Sequence, residues 1–246
     1  MNMHYIDRGC GSPVVMVHGN PTWSYFYRDL IDDLSGTHHI IAPDHIGMGL
    51  SDKPQDAAYD LAFHIENLTR LIEHLELEDI TLIVHDWGGA IGMGYAVDHI
   101  DIVSKIVILN SAAFFDPHIP LRIRVCRGAV GGSLTRRLNL FARAASFMAT
   151  DRALTKEEKA AYLEPYATFE DRIGITSFLQ DIPIEKGHGT RPVLDRIESK
   201  LPSLTSDVLI LWGMRDFCFT EHFLDRWRAI FPQAQVVRYE HAGHYI

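Results

Sequence analysis

The chain has 246 residues, 47% of them hydrophobic and 22% charged, with a formal net charge of −9. That length buries a full core, and the composition is ordinary for a globular protein. The acidic balance argues against nucleic acid or an anionic membrane as a main partner, because phosphate binding needs clustered Lys and Arg. One stretch, Arg122 to Arg137, is basic, but its arginines are interleaved with Leu, Val and Gly and read as the face of an amphipathic helix. Cys10, Cys126 and Cys218 lie far apart with no metal-ligand or C-x-x-C spacing. A reducing compartment is expected, with no metal and no cofactor. No signal-peptide pattern opens the chain, and no apolar run nears the roughly 18 residues of a membrane span. The expectation is a cytoplasmic enzyme with no membrane span.

In chain order, Pro13–Val17, His39–Ala42, Ile80–Val84 and Ile106–Leu109 are short continuous apolar runs, as strands buried on both faces require. Between the second and third, Ile65, Leu68, Leu71, Ile72 and Leu75 recur at three- and four-residue spacing and predict one apolar helical stripe. From about Phe114 to Leu201 there is no convincing strand, only helical stretches such as Thr155–Glu164 broken by Pro, Gly and Asp. Val208–Trp212 restores the strand pattern, Glu221–Phe231 is helical, and Gln235–Tyr239 is a last strand. The order predicts an α/β fold: a mostly parallel sheet with flanking helices (1–113 and 202–246) and an inserted all-helical cap (114–201). Such an insertion lies over the carboxyl ends of the strands, where open α/β sheets hold ligands.

The segment Ile83-Val84-His85-Asp86-Trp87-Gly88-Gly89 runs from a buried strand straight into a Gly-rich helix start. A residue on that sharp turn projects into the cleft, as the serine of G-x-S-x-G does, but here the position holds Asp86. A helix N-cap is the plainer reading of an Asp there. A carboxylate in this place can displace a leaving group from sp³ carbon and form an ester through its own oxygen. Water activated by a histidine then attacks the ester carbonyl, and the developing oxyanion needs backbone N–H donors. The amide of Trp87 is in position for one, and the loop His18-Gly19-Asn20-Pro21-Thr22-Trp23 after the first strand supplies the other.

The base is expected late, in the loop after the last strand. His244 in Ala242-Gly243-His244-Tyr245 fits, with His241 as its nearest competitor among 14 histidines. Asp216 in Gly213-Met214-Arg215-Asp216 follows the strand before it at loop distance; a solvated turn Asp is the alternative. The order Asp86…Asp216…His244 is that of nucleophile, acid and histidine in this architecture. The side-chain amide of Asn20 and the indole N–H of Trp87 can each donate to a departing anion, although Asn-Pro is also an ordinary turn dipeptide.

These motifs resemble the haloalkane dehalogenase branch of the α/β-hydrolases. The likeness rests on His18-Gly19-Asn20-Pro21, on Asp44-His45-Ile46-Gly47-Met48-Gly49-Leu50-Ser51-Asp52-Lys53-Pro54 and on His85-Asp86-Trp87-Gly88-Gly89. It is closer still to the β-lactone decarboxylases of olefin biosynthesis, through Trp23-Ser24-Tyr25-Phe26-Tyr27-Arg28, Gln180-Asp181-Ile182-Pro183, Trp212-Gly213-Met214-Arg215-Asp216-Phe217-Cys218-Phe219 and Gly243-His244-Tyr245. The resemblance implies Asp86 as nucleophile, Asp216 and His244 as the rest of a triad, and Asn20 with Trp87 as the leaving-group grip. It also implies a further strand before Met3 and a helix beyond Ile246. The implied substrate is an apolar small molecule, and the implied partners are other olefin-pathway enzymes.

Three reactions fit these residues: conversion of a long-chain cis-β-lactone to an alkene and carbon dioxide, hydrolytic dehalogenation, and epoxide hydrolysis. The last would need Tyr162 or Tyr166 as a proton donor, and both also fit a core-packed helix face. A non-catalytic module on the same fold is the contrasting class. A long apolar pocket would draw on cap aromatics such as Phe141, Phe147, Phe169 and Phe178, which equally suit plain core. The apolar-basic segment Ile119–Val130 reads as a cap helix, or else as a contact surface.

Overall fold

A computed structural model describes residues 1–246. Strand β1 (Tyr5–Arg8) and β2 (Ser12–Val17) lead to helix α1 (Arg28–Leu34), β3 (His38–Pro43), α2 (Leu61–His74), β4 (Ile80–Asp86), α3 (Trp87–Ala96) and β5 (Val103–Ser111). Six helices follow with no strand between them: α4 (Leu121–Arg127), α5 (Ala129–Leu138), α6 (Leu140–Met148), α7 (Lys156–Leu163), α8 (Ile173–Gln180) and α9 (Arg191–Lys200). The chain then returns through β6 (Asp207–Gly213), α10 (Glu221–Ile230) and β7 (Gln235–Tyr239). The sheet order is β1-β3-β2-β4-β5-β6-β7, and every pairing is parallel except that of β1 with β3.

The sequence pattern explains the layers. Along β2, Val15 and Val17 face one core while Val14 and Met16 face the other, as the two-residue period of a strand requires. The larger core joins the sheet to α2, α3, α9 and α10; the smaller one closes under α1 through Tyr27 and Ile31. Helix α2 buries its stripe of Leu61, Ile65, Leu68, Leu71 and Ile72, and Asp60 caps it by accepting from the Phe63 amide. Helix α7 starts from a capping box between Thr155 and Glu158. Tyr162 and Tyr166 are 6% and 0% exposed and pack as core.

Two expectations need correction. Strand β1 precedes the first run read from sequence; it is an antiparallel edge strand, half-buried at Tyr5 and Ile6 and exposed at Asp7 and Arg8, so it carries no apolar run to detect. The single helix expected over Ile119–Val130 is two helices. Gly128 is extended (φ −62°, ψ 160°), ending α4 and starting α5, which fits the low helix propensity of glycine. Helix α9 falls inside the span read as cap (114–201), yet it packs against α3 through Leu194 and Ile197.

Candidate active site

The chain leaves β2 toward β3 on one side of the sheet and later crosses to β4 and β5 on the other, so β2 and β4 are neighbours whose following loops diverge. That reversal opens a crevice at the strands' carboxyl ends. Asp86 ends β4 and α3 begins at the next residue. Its backbone lies at φ 52°, ψ −125°, a region that costs a non-glycine residue of order 1–3 kcal/mol. Asp86 stands at the N-cap of α3, but its side chain makes no capping bond there. The turn is held from β5 instead: the Ser111 hydroxyl donates to the Asp86 carbonyl at 2.5 Å. A Cβ at position 89 would sit 1.8 Å from that hydroxyl oxygen, so only glycine lets the two strand ends close.

The carboxylate turns back toward the β2 loop. Asp86 Oδ1 accepts the Asn20 amide at 2.7 Å, and a Cβ on Gly19 would lie 2.2 Å from the same oxygen. Burial raises the Asp86 pKa, and the opposing pull of His244 and of the Asn20 and Trp87 amides does not cancel it. Asp86 Oδ2 is left facing His244 Nε2 at 3.8 Å. An acceptor oxygen fixed by an amide and a second oxygen free of the imidazole leave a lone pair available to a substrate carbon.

His244 Nδ1 lies 2.8 Å from Asp216 Oδ2, and Asp216 Oδ1 accepts the Cys218 amide at 2.6 Å. Burial lowers the His244 pKa most, but Asp216 and Asp86 together carry it above the ordinary histidine value. Three contacts place the imidazole: the His244 carbonyl bonds His85 Nε2 at 2.9 Å, Tyr245 N–H donates to Ala149 O at 2.7 Å, and the Phe219 ring stacks on it at 5.7 Å. Asn110 pins the β6 end by accepting the Gly213 amide at 2.7 Å and donating to its carbonyl at 3.0 Å. His241 is exposed and bonded to Arg215, away from this group.

Asn20 is 6% exposed; its Nδ2 donates to Ile175 O at 3.1 Å, which leaves the second N–H of the amide for a ligand. Asn20, Asp86, Trp87 and His244 all line one cavity of about 540 Å³, and Asp216 stands behind His244. The walls are apolar. Of the four cap aromatics expected there, only Phe141 lines the cavity. Phe147 and Phe169 are 70% and 44% exposed, and Phe178 is core, stacked on His64. The aromatic lining comes from Phe114 and Phe115 after β5 and from Phe217, Phe219 and Phe223 after β6. Their signal was their place, within a few residues of the strand ends.

Sequence spacing also missed Asp116, His118 and His222, whose donor atoms all lie within 4.8 Å of one another beside the cavity. Asp116 Oδ1 accepts the His118 amide at 2.9 Å and faces its Nδ1 at 2.7 Å; Oδ2 faces His222 Nε2 at 2.7 Å and accepts from Arg226 at 2.8 Å. The carboxylate is fully occupied and a guanidinium already neutralises it. The group acts as a latch between the segment after β5 and α10.

Residues 12–246 match the family model for the alpha/beta hydrolase fold. A cis-3-alkyl-4-alkyloxetan-2-one decarboxylase from Shewanella oneidensis is 44% identical over 99% of this chain and 80% of its own. The enzyme of that name from Xanthomonas campestris pv. campestris is 40% identical, over 99% and 86%. Haloalkane dehalogenase 2 from Mycobacterium bovis is 30% identical over 99% and 85%. Among solved structures, an ancestral haloalkane dehalogenase superposes with a TM-score of 0.89 at 27% identity, covering 99% of this chain and 88% of that one. This chain therefore belongs to the alpha/beta hydrolase fold family, in the branch that holds the cis-3-alkyl-4-alkyloxetan-2-one decarboxylases and the haloalkane dehalogenases.

Proposed function

We propose that the protein decarboxylates a long-chain cis-β-lactone, a 3,4-dialkyl oxetan-2-one, to an alkene and carbon dioxide. The observation that carries this reading is the Asp86 carboxylate, with Oδ2 facing His244 Nε2 at 3.8 Å, at the floor of an apolar cavity of about 540 Å³. Full-length likeness to the two oxetanone decarboxylases supports it.

Asp86 Oδ2 attacks the ring carbon that bears the ring oxygen. The C–O bond breaks, strain is released, and the ring oxygen leaves as part of a carboxylate held by the Asn20 amide and the Trp87 indole. The new intermediate is an ester of Asp86 with a carboxylate one carbon away. Loss of carbon dioxide sends the C–C electron pair into a C=C bond and expels the Asp86 carboxylate. Atoms balance without water. His244, oriented by Asp216, stands beside the nucleophile as its cationic partner. Inversion on attack followed by anti elimination carries a cis ring to a cis alkene.

The mycobacterial relative supports a second reading with the same first step. Halide would leave from an sp³ carbon toward Asn20 and Trp87, and His244 would then direct water onto the Asp86 ester carbonyl. The two part at turnover. Incubation with a dialkyl cis-β-lactone, with Asp86→Ala as control, should give Asp86-dependent alkene by gas chromatography–mass spectrometry. In ¹⁸O-water the Asp86 peptide should stay unlabelled, whereas hydrolysis of an ester would label it. No alkene from folded protein, with bromide released from a bromoalkane, would replace the first reading by the second.

A further inference from the structure

The net charge of −9 hides a local reversal. Between Pro117 and Thr150 the chain has six arginines and no Lys, Asp or Glu, so the rest carries −15. This stretch is α4, α5 and α6, which pack in series, α4 on α5 and α5 on α6. Arg122, Arg124, Arg137 and Arg143 are exposed there, and each lacks a carboxylate partner in a protein whose other surface arginines are mostly paired.

The same helices carry the protein's exposed apolar surface. Leu121, Val125, Val130, Leu138 and Phe147 are 61–75% exposed, and only Met1 elsewhere matches them among large apolar side chains. Val130, Arg137 and Leu138 fall on one stripe of α5, and Leu140, Arg143 and Phe147 on one stripe of α6, by the i, i+3, i+4, i+7 periodicity of a helix. Apolar and cationic groups thus reach the same outer surface, where anionic headgroups would attract the arginines and the acyl boundary would take the apolar side chains.

The cavity opens through this face. Leu121, Arg122, Val125, Leu140 and Met148 line the cavity and are exposed to solvent at once, so its apolar wall runs without a break onto the outer surface. Apolar molecules that fit such a cavity partition into bilayers. We propose that the α4–α6 face docks on an anionic lipid bilayer, with the cavity mouth against the membrane. No helix of the protein is long and apolar enough to cross a membrane, so the contact is at the surface. Docking does not depend on which reaction Asp86 performs.

The test is co-sedimentation with unilamellar vesicles of phosphatidylcholine and of a phosphatidylcholine–phosphatidylglycerol mixture, at low and high salt. Partition onto the anionic vesicles is expected, weak onto the neutral ones, and lost at high salt. Each arginine near an anionic surface strengthens partition about fivefold, so Arg137→Gln with Arg143→Gln should weaken it about 25-fold. The same charge change at Arg70 and Arg228, on other exposed surfaces, should leave it unchanged. Val130→Ser with Leu138→Ser should also release the protein, with helical content intact by circular dichroism. Folded protein that ignores anionic vesicles, or that responds equally to both arginine pairs, overturns the proposal. A dimer in size exclusion that Val130→Ser with Leu138→Ser splits, with no vesicle binding, would assign the face to a second copy of the chain.

Discussion

The floor of the cavity and its entrance are built on opposite plans. At the floor, polar groups are placed by bonds from distant strand ends: Asn20 N–H on Asp86, Ser111 on the Asp86 carbonyl, Asp216 on His244, His85 on the His244 carbonyl. At the entrance, α4 and α6 contribute apolar side chains and Arg122, which has no carboxylate partner. The floor fixes the geometry of the reacting groups; the entrance fixes shape and solvation. Substitutions at the floor should act on kcat, and those at the entrance on which molecule arrives.

The largest break is Asp86→Asn. It should lower turnover by roughly 10⁴-fold or more, as loss of a covalent nucleophile does elsewhere. It should also stabilise the protein. A buried carboxyl with a raised pKa makes its ionised form unfavourable in the fold, a cost absent below the unfolded value near 3.8 and fully present above the folded one. The amide removes that cost, so the melting temperature should rise on the order of 3 °C at neutral pH and match wild type near pH 3. A melting temperature that falls at neutral pH would mean that the ionised carboxylate holds the turn.

Next comes Asp216→Asn, expected to cost about 10³–10⁴-fold through a misoriented imidazole. The pH profile separates this from unfolding. Asp216 supplies most of what raises the His244 pKa against burial. Without it burial dominates and the pKa falls, so any step that needs neutral His244 should persist to lower pH in the variant than in wild type. An acid limb that does not move would place another residue in that role.

How much of this was legible follows the same division. The grouping at the floor was readable because the residues brought together there sit in contiguous motifs at strand ends, such as His85-Asp86-Trp87-Gly88-Gly89 and Gly243-His244-Tyr245. Its supports were not: Ser111, Asn110 and His85 act through pairings between residues 25 to 159 positions apart. The entrance was misread for a different reason. Phe147 and Phe178 have similar helical settings in sequence, and only packing makes one 70% exposed and the other core. The helix over Ile119–Val130 ran through Gly128, where apolar periodicity continues although the backbone does not.

A stability effect of intermediate size tests the loop beneath the floor. Asp44 is buried and accepts the Ser24 amide at 2.7 Å, the Leu50 amide at 2.9 Å and His4 Nδ1 at 2.8 Å. Burial opposes its ionisation, but these donors together with His18 carry its pKa below the ordinary value. Its contribution is therefore present above about pH 3.8 and fades as pH falls through the lower folded value. Asp44→Asn presents an N–H to donors that need an acceptor and should cost about 2–3 kcal/mol, read as a shift in urea midpoint at unchanged slope. A midpoint difference that persists unchanged at pH 2 would point to packing and not charge.

The smallest expected effect sharpens the comparison most, because it changes the entrance and leaves the floor alone. Ala145 lies on α6, lines the cavity and is half-buried, so a larger side chain there extends into the cavity without crossing the core. Ala145→Phe should leave kcat on a short-chain substrate close to wild type. For long chains, each methylene that no longer fits should cost about tenfold in kcat/KM. The pH profile should not move, since no group that sets the Asp86 or His244 pKa is touched. If kcat fell equally for short and long chains, the entrance would be positioning the reacting carbon. The division between a floor that does chemistry and an entrance that selects would then have to be redrawn through α6.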